Sequence, residues 1–315
     1  MQARHLLLQG FLTCVVLASA NYAVGRMAST TVASQLLERC RNNTHFTDLF
    51  LGNSLIAAGI DERDFNEAFG SNHSAFNAGC GSTSPLEHAL ILQEIKCPAK
   101  SRIIYGFYDT QLTDQTSTAW NSLTGNRTFL FKKDPQKYSF LFDNQDLLQT
   151  IFLKILSKAP IAYERLAIWA KVEKARRAIG AIGFGSPETN RFGRTEDFQL
   201  LETTNSESFE KRLSDLVSQK TSLSKPIRAI ISYAKQNDLE IIFALMPMTS
   251  DHRLKFNSSN SWNAYFSHIR NLLEKDGIKL VNALDWMDDY LFEDNLHLSK
   301  AGAGKFSKRL GESLK

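Results

Sequence analysis

The 315-residue sequence contains no long run of basic residues, although its 37 lysines and arginines slightly outnumber its 33 aspartates and glutamates. The formal net charge of +4 is small for this length, and the basic residues are spread along the chain. Proteins that bind nucleic acid through electrostatic attraction need a clustered basic surface. The composition therefore argues against a nucleic-acid partner.

The sequence is also poor in the residues that form metal sites. It has four cysteines and no Cys-x-x-Cys pair, and its scattered histidines, His73, His88, His252 and His268 among them, lack zinc-binding spacing. We expect no metal or other cofactor, and we expect these histidines at the surface or as capping residues. Cys14 lies in an apolar segment. For the remaining cysteines, two arrangements stay open, one disulfide with one thiol or three buried thiols.

Internal repeats, low-complexity tracts and a phosphate-binding loop are absent as well. Residues 180–185 are rich in glycine but have neither a preceding strand nor the lysine of such a loop, so they are interpreted as a linker. With 43% hydrophobic and 22% charged residues, the composition is typical of a folded globular protein. The length is enough for one large α/β domain or for one domain with a sizeable insertion.

The N-terminus carries the longest apolar stretch, residues 6–24, between Arg4 and Arg26. A basic start, an apolar middle and small residues such as Ala18-Ser19-Ala20 are typical of an export signal. The stretch also approaches the ~20 residues that span a bilayer. Residues 1–26 are therefore predicted to be a signal anchor or a cleaved signal peptide, with a buried helix as the weaker alternative. Either favoured reading places the protein outside the cytoplasm, anchored in the membrane or secreted.

Short apolar runs alternate with helical stretches through much of the remaining chain. The runs predicted as strands are residues 48–51, 75–77, 101–107, 239–246 and 278–281. The stretches predicted as helices are residues 55–69, 84–95, 206–237 with a break at Pro226, 262–275 and 301–314. This alternation predicts a three-layer α/β/α sandwich with a parallel, flavodoxin-like sheet. Residues 110–205 lose the pattern and are predicted to form an inserted, mostly helical cap within a domain at 45–315.

Three polar residues stand at positions suited to acyl-transfer chemistry. Ser54 follows an apolar strand at the start of a helix, where backbone N–H groups can stabilise an oxyanion. A serine hydroxyl needs a neighbouring base to become a nucleophile. Asp294 and His297 are three residues apart, so on a helical turn their side chains share one side, and the carboxylate can orient the imidazole. Each feature alone is common in turns and caps.

In combination, these features resemble the SGNH/GDSL hydrolase superfamily. Residues 48–54, Asp-Leu-Phe-Leu-Gly-Asn-Ser, resemble its first block, with asparagine where many members carry aspartate. Residues 77–83, Asn-Ala-Gly-Cys-Gly-Ser-Thr, resemble the second block, whose glycine lines the oxyanion hole. Gly81 matches that glycine best, and Gly79 is the alternative. Asp294 and His297 match the last block.

One block departs from the family pattern. Members commonly carry an asparagine after the third strand that donates to the oxyanion, but residues 105–110 here read Tyr-Gly-Phe-Tyr-Asp-Thr. An ionised Asp109 has no proton to donate, and one lost donor costs roughly 3 kcal/mol of transition-state stabilisation. The departure resembles a membrane-anchored branch that acts on cell-envelope polymers. Residues 239–246 followed by Pro247, and Leu-Asp-Trp at 284–286, resemble that branch too.

The resemblance implies a serine esterase or O-acyltransferase that acts on small, acetyl-like esters of an extracytoplasmic carbohydrate polymer. It assigns Ser54 as nucleophile, His297 as base, Asp294 as its orienting partner, and the N–H groups of Ser54 and Gly81 as oxyanion donors. The alternative is a non-catalytic relative that binds or positions a polysaccharide for a membrane-bound acyltransferase.

Overall fold

The computed structural model describes residues 2–28, 32–70, 73–81, 83–114, 148, 151 and 206–315. The predicted cap at 110–205 and the predicted linker at 180–185 lie almost entirely outside the described residues. The chain divides into two compact units, residues 1–39 with 119–185 and residues 40–118 with 186–315. The predicted domain limits stay a prediction.

The described part of the first unit is helical. Helix α1 spans Gln2–Ala28 and is followed by α2, Val32–Asn42, whose last three residues belong to the second unit. Large apolar side chains on α1 are exposed, among them Phe11, Val16 and Tyr22. Within the part of the chain that the structure describes, no helix combines the length and the hydropathy that crossing a membrane requires.

The second unit is built on a five-stranded, fully parallel sheet in the order β2-β1-β3-β4-β5. The strands are β1 (Asp48–Leu51), β2 (Ala75–Asn77), β3 (Arg102–Phe107), β4 (Glu240–Leu245) and β5 (Lys279–Asn282). The α-helices of six or more residues are α3 (Ser54–Gly59), α4 (Glu62–Phe69), α5 (Pro85–Glu94), α6 (Ser206–Ser218), α7 (Lys225–Gln236), α8 (Asn260–Lys275) and α9 (Lys300–Ser313). The predicted three-layer sandwich with a parallel sheet is confirmed.

Side chains alternate between the two faces of the sheet along each strand, and both faces are buried beneath helices. Phe50, Ile104 and Ile242 belong to a core cluster that also contains Phe65 of α4 and Phe306 of α9. On the opposite face, Tyr105 and Phe243 place their ring centroids 5.2 Å apart, and Tyr105 contacts His88 of α5. Burial on both faces explains why the strands are continuous apolar runs in the sequence.

The single helix predicted at 55–69 is wrong, because the structure has two helices there. Helix α3 ends at Gly59, and the Asp61 side chain accepts a hydrogen bond from the Asp64 N–H (3.1 Å) to begin α4.

The long helix predicted at 206–237 is broken near Pro226, as expected, into α6 and α7. Pro226 lies in the first turn of α7, where its missing N–H is not needed.

The sheet register aligns the strand ends that precede the polar loops. Leu51 of β1 pairs with Tyr105 of β3, and Tyr105 pairs with Phe243 of β4. The turn after β1 approaches β3 closely, since a Cβ on Gly52 would lie 2.8 Å from the carbonyl oxygen of Gly106. The loops after β1, β3 and β4 therefore leave the sheet at its carboxyl edge, where ligands bind in open α/β sheets.

At the opposite, amino edge, a buried carboxylate ties three segments together. Asp48 is fully buried and accepts hydrogen bonds from Arg102 Nε (2.7 Å), Thr47 Oγ1 (2.6 Å) and His73 Nδ1 (3.0 Å). The Arg102 guanidinium also stacks on the Phe69 ring, 4.3 Å from its centroid. This ion pair joins the first residues of β1 and β3.

We expect Asp48→Asn to lower the free energy of unfolding by roughly 3–5 kcal/mol, because it leaves a partly buried guanidinium without its counter-charge. Chemical denaturation followed by far-UV circular dichroism measures this change. Asp276→Asn is the matched control, since Asp276 pairs with Lys235 on the surface (2.6 Å) and such pairs contribute about 0–1 kcal/mol. Equal effects of the two substitutions would contradict a structural role for the buried pair.

Candidate active site

Ser54 lies at the carboxyl edge of the sheet as the first residue of α3, and its side chain is partly exposed. The residue before it, Asn53, is the N-cap, and its Oδ1 accepts a hydrogen bond from the Leu55 N–H (2.9 Å). The cap fixes the start of the helix directly beside the serine. Because the first N–H groups of a helix have no acceptor within the helix, the Ser54 N–H is oriented as a potential donor to a ligand.

The structure brings Ser54, His297 and Asp294 together although Ser54 and His297 are 243 positions apart in the chain. Ser54 Oγ lies 2.9 Å from His297 Nε2. His297 Nδ1 lies 2.9 Å and 2.8 Å from the two carboxylate oxygens of Asp294. The His297 side chain is buried, whereas Asp294 keeps 14% of its side-chain surface exposed. This is the arrangement of a nucleophile, a base and an orienting carboxylate.

The turn that carries Asp294 and His297 is an irregular loop, so the predicted helical turn is wrong. Phe292 and Leu298 form an antiparallel bridge across the loop, and the Glu293 N–H donates to the His297 carbonyl (2.8 Å). Inside it, Asp294 Oδ1 accepts from the N–H groups of Leu296 (2.9 Å) and His297 (2.7 Å). The carboxylate thus folds its own loop while it holds the imidazole.

Asp294 is ionised at neutral pH. Burial alone raises the pKa of its carboxyl group, but hydrogen bonds from the His297 side chain and from the Leu296 and His297 N–H groups outweigh burial and lower the pKa to about 2. The carboxylate therefore accepts from Nδ1–H of His297, which leaves Nε2 as the atom that accepts the Ser54 hydroxyl proton.

Of the two candidate oxyanion glycines, Gly81 lies beside the serine. A Cβ on Gly81 would be 3.9 Å from the Ser54 Cβ. Gly79 has a different role, because its Cβ would lie 2.4 Å from the backbone nitrogen of Ala57, so a side chain cannot fit against α3. The segment is tied to β1 by hydrogen bonds from the Ala78 N–H to Phe50 O (2.9 Å) and from the Cys80 N–H to Gly52 O (3.1 Å).

Asn77 supports this site and was not singled out from the sequence. Its Nδ2 donates to the carbonyls of Ile56 and Ile60 at the end of α3, each at 3.1 Å. Its Oδ1 accepts from the Gly79 N–H (2.9 Å). One side chain therefore joins the helix that starts at Ser54 to the loop that carries Gly81. In the sequence, the position of Asn77 at the end of a predicted strand was the feature that could have identified it.

Asp109 directly follows Tyr108, which stands where the resembled family commonly carries its donor asparagine. It has a positive φ of 44°, and its Oδ1 lies 3.3 Å from His252 Nε2 and 3.5 Å from Asn257 Nδ2. His252 and Asn257 are buried, and Asn257 ends a π-helical turn, Arg253–Asn257. Asp109 thus acts as an acceptor within its own polar cluster.

Two of the histidines that were predicted as surface or capping residues are instead buried. His252 is 4% exposed beside Asp109, and His88 is fully buried in α5. The surface prediction failed because a polar residue in an apolar stretch gives no local signal of the hydrogen-bond partners that a distant segment supplies.

All four cysteines are thiols, with Cys40 and Cys80 buried. Among the described residues, no group of three or more His, Cys, Asp or Glu side chains could hold a metal ion.

The chain has a weak structural likeness to known proteins. No protein-family model matches the chain, and no curated protein matches it. Among solved structures, the chain is similar to one from Streptococcus pneumonia that is provisionally described as a platelet activating factor. The two share 12% identity with a TM-score of 0.41, over 98% of this chain and 99% of the other.

Proposed function

We propose that this protein is a serine esterase or O-acyltransferase of the SGNH/GDSL type, with Ser54, His297 and Asp294 as its catalytic residues. The observation that carries the proposal is the continuous set of hydrogen bonds from Ser54 Oγ through the His297 imidazole to the Asp294 carboxylate. The site lies at the carboxyl edge of a parallel sheet, beside a helix start and a glycine loop. These are the parts that acyl transfer through a serine requires.

In the proposed acylation step, Ser54 Oγ attacks the carbonyl carbon of an ester and its proton passes to His297 Nε2. The carbonyl oxygen becomes an oxyanion, which accepts hydrogen bonds from the N–H groups of Ser54 and Gly81. The carbon–oxygen bond to the alcohol breaks, and the departing oxygen takes the proton from His297. Asp294 stabilises the imidazolium that forms between these events.

Deacylation repeats the sequence with a new nucleophile. Water or a sugar hydroxyl gives its proton to His297 and attacks the acyl carbon, and Ser54 Oγ leaves with the proton returned by His297. Water produces a carboxylic acid, and a sugar hydroxyl produces a new ester. Hydrolysis and transfer therefore share one acyl-enzyme and differ only in the nucleophile that reaches it.

The proposed substrates are small acyl esters, acetyl-like in size, on a carbohydrate polymer outside the cytoplasm. The export-type segment at residues 1–26 supports this location. The polymer is supported by the resemblance of residues 105–110, 239–247 and 284–286 to a branch of envelope-acting relatives. The same segment is proposed to tether the protein to the membrane, near a membrane-bound acyltransferase. No nucleic-acid partner and no cofactor form part of the proposal.

The alternative proposal, a non-catalytic protein that positions a polysaccharide, is favoured by one observation. The donor asparagine of the resembled family is replaced by Tyr108, and the neighbouring Asp109 is an acceptor for His252 and Asn257 rather than a donor. A site with one donor fewer is expected to be slower by about 100- to 1000-fold. Binding without turnover would then be the function.

A fluorophosphonate probe separates the two proposals. We expect the full-length protein to incorporate about one probe per chain, because phosphonylation of a serine requires a base that removes the hydroxyl proton. Peptide mass spectrometry should locate the adduct on Ser54, and Ser54→Ala should abolish it. A wild-type protein that takes up no probe but binds acetylated glycan in calorimetry would favour the positioning role.

A further inference from the structure

A chain of buried polar side chains runs from the centre of the sheet to the loop beside Ser54. The Tyr105 hydroxyl lies 2.8 Å from His88 Nδ1, and His88 Nε2 lies 2.8 Å from Thr83 Oγ1. Thr83 Oγ1 in turn donates to the carbonyl of Cys80. Tyr105 and His88 are fully buried, and Thr83 is 7% exposed. We refer to Tyr105, His88 and Thr83 as the polar relay.

The direction of each hydrogen bond in the polar relay is determined. Burial lowers the pKa of His88 to about 3, so the imidazole is neutral and carries one N–H. The Thr83 hydroxyl donates its one proton to the Cys80 carbonyl. Thr83 Oγ1 must therefore be the acceptor in its hydrogen bond with Nε2–H of His88. His88 Nδ1 is then the acceptor for the Tyr105 hydroxyl. Every polar atom between the tyrosine hydroxyl and the Cys80 carbonyl has a partner.

The last acceptor belongs to the same peptide group as the proposed oxyanion donor. The Cys80 carbonyl and the Gly81 N–H lie on the two sides of one planar, trans peptide bond, so they point in opposite directions. A hydrogen bond that fixes the carbonyl toward Thr83 therefore fixes the direction of the Gly81 N–H. It also polarises the amide, which strengthens that N–H as a donor.

We propose that the polar relay positions the Gly81 N–H for the oxyanion, with Thr83 in contact with the peptide and His88 and Tyr105 holding Thr83. The three are positioning residues, and none contacts the substrate. The inference rests on the proposed function, because it concerns the oxyanion of the same acyl-transfer reaction. The proposed role would also explain why α5 carries a buried histidine. Apolar side chains at these positions would avoid the free-energy cost of removing three polar groups from water.

Thr83→Val tests the proposal, because valine has nearly the shape of threonine and lacks the hydroxyl. Loss of an entire oxyanion donor lowers kcat by about 100- to 1000-fold. The Gly81 N–H is misdirected rather than removed, so we expect kcat to fall about 10- to 100-fold with little change in KM. Thr83→Ser keeps the hydroxyl and should restore most of the rate.

Ser101→Ala is the matched control. Ser101 is buried, and its Oγ donates to the carbonyl three residues earlier, Pro98 (2.8 Å), as Thr83 does to Cys80. Ser101 precedes β3 at the amino edge of the sheet, away from Ser54. A general loss of stability would lower the fraction of chains that fluorophosphonate labels, so every rate is expressed per labelled site. We expect Ser101→Ala to match the wild type on that basis.

A second measurement does not depend on turnover. In nitrogen-15 NMR, the Gly81 amide resonance should shift in Thr83→Val and return toward its wild-type position in Thr83→Ser, while Ser101→Ala leaves it in place. An active wild type whose Thr83→Val variant keeps the full rate per site and an unmoved Gly81 resonance overturns the inference alone. A wild type with no Ser54-dependent turnover overturns the proposed function and the inference together.

Discussion

Replacing Ser54 with alanine is expected to lower the turnover of a small acyl ester such as p-nitrophenyl acetate by on the order of 10⁴- to 10⁶-fold. The substitution removes the atom that forms the acyl-enzyme in the proposed mechanism. The fold loses little, because Ser54 is partly exposed at a helix start that Asn53 caps. Initial rates of the full-length protein, with circular dichroism as the check on folding, measure the effect.

Two controls make this result specific. Ser218→Ala removes another helical serine, exposed on α6, and should leave the rate at the wild-type value. His297→Ala should lose about as much as Ser54→Ala, and the double variant should be no slower than either, since the two side chains act as one unit. Turnover that survives in Ser54→Ala at the wild-type rate would remove Ser54 from the mechanism.

Replacing Asp294 with asparagine is expected to lower kcat by about 10⁴-fold while the protein stays folded. Asparagine keeps an oxygen that can accept from the Leu296 and His297 N–H groups, so the loop can be retained. Its amide, however, can donate to Nδ1, which favours the imidazole tautomer with the proton on Nε2. That tautomer cannot accept the proton of Ser54, so the base function is lost.

The effect of Asp294→Asn on the free energy of unfolding should also depend on pH. The folded-state pKa of Asp294 is lowered to about 2, below the usual value of 3.8, so ionisation of Asp294 stabilises the fold at pH values above about 4. This contribution, on the order of 2 kcal/mol, is lost as the pH falls from about 4 through 2. The stability difference between wild type and Asp294→Asn should therefore shrink over that range in urea titrations. A difference independent of pH would contradict the lowered pKa.

The strands were predictable because each is a local signal. Residues 48–51 and 75–77 were predicted with the bounds that the structure shows. The prediction for β3 differs by one residue at one end, and those for β4 and β5 differ by one residue at each end. A strand buried on both faces appears as a short apolar run between turn residues, whatever the rest of the chain does. The break between α3 and α4 was missed because residues 55–69 read as one helical stretch. It depends on the Asp61 cap and on the distant Asn77 side chain.

The residue types at the site can be read from the sequence, since Ser54 follows an apolar run and Asp294 with His297 precedes the last helix. The folded chain was needed to show that Ser54 and His297 meet, that Gly81 rather than Gly79 lies beside the serine, and that His88 is buried within the polar relay. The difference lies in the distance along the chain over which each kind of information acts. Propensity and periodicity act over a few neighbouring residues, whereas a hydrogen bond between two distant segments exists only once the packing of the whole sheet brings them within 3 Å.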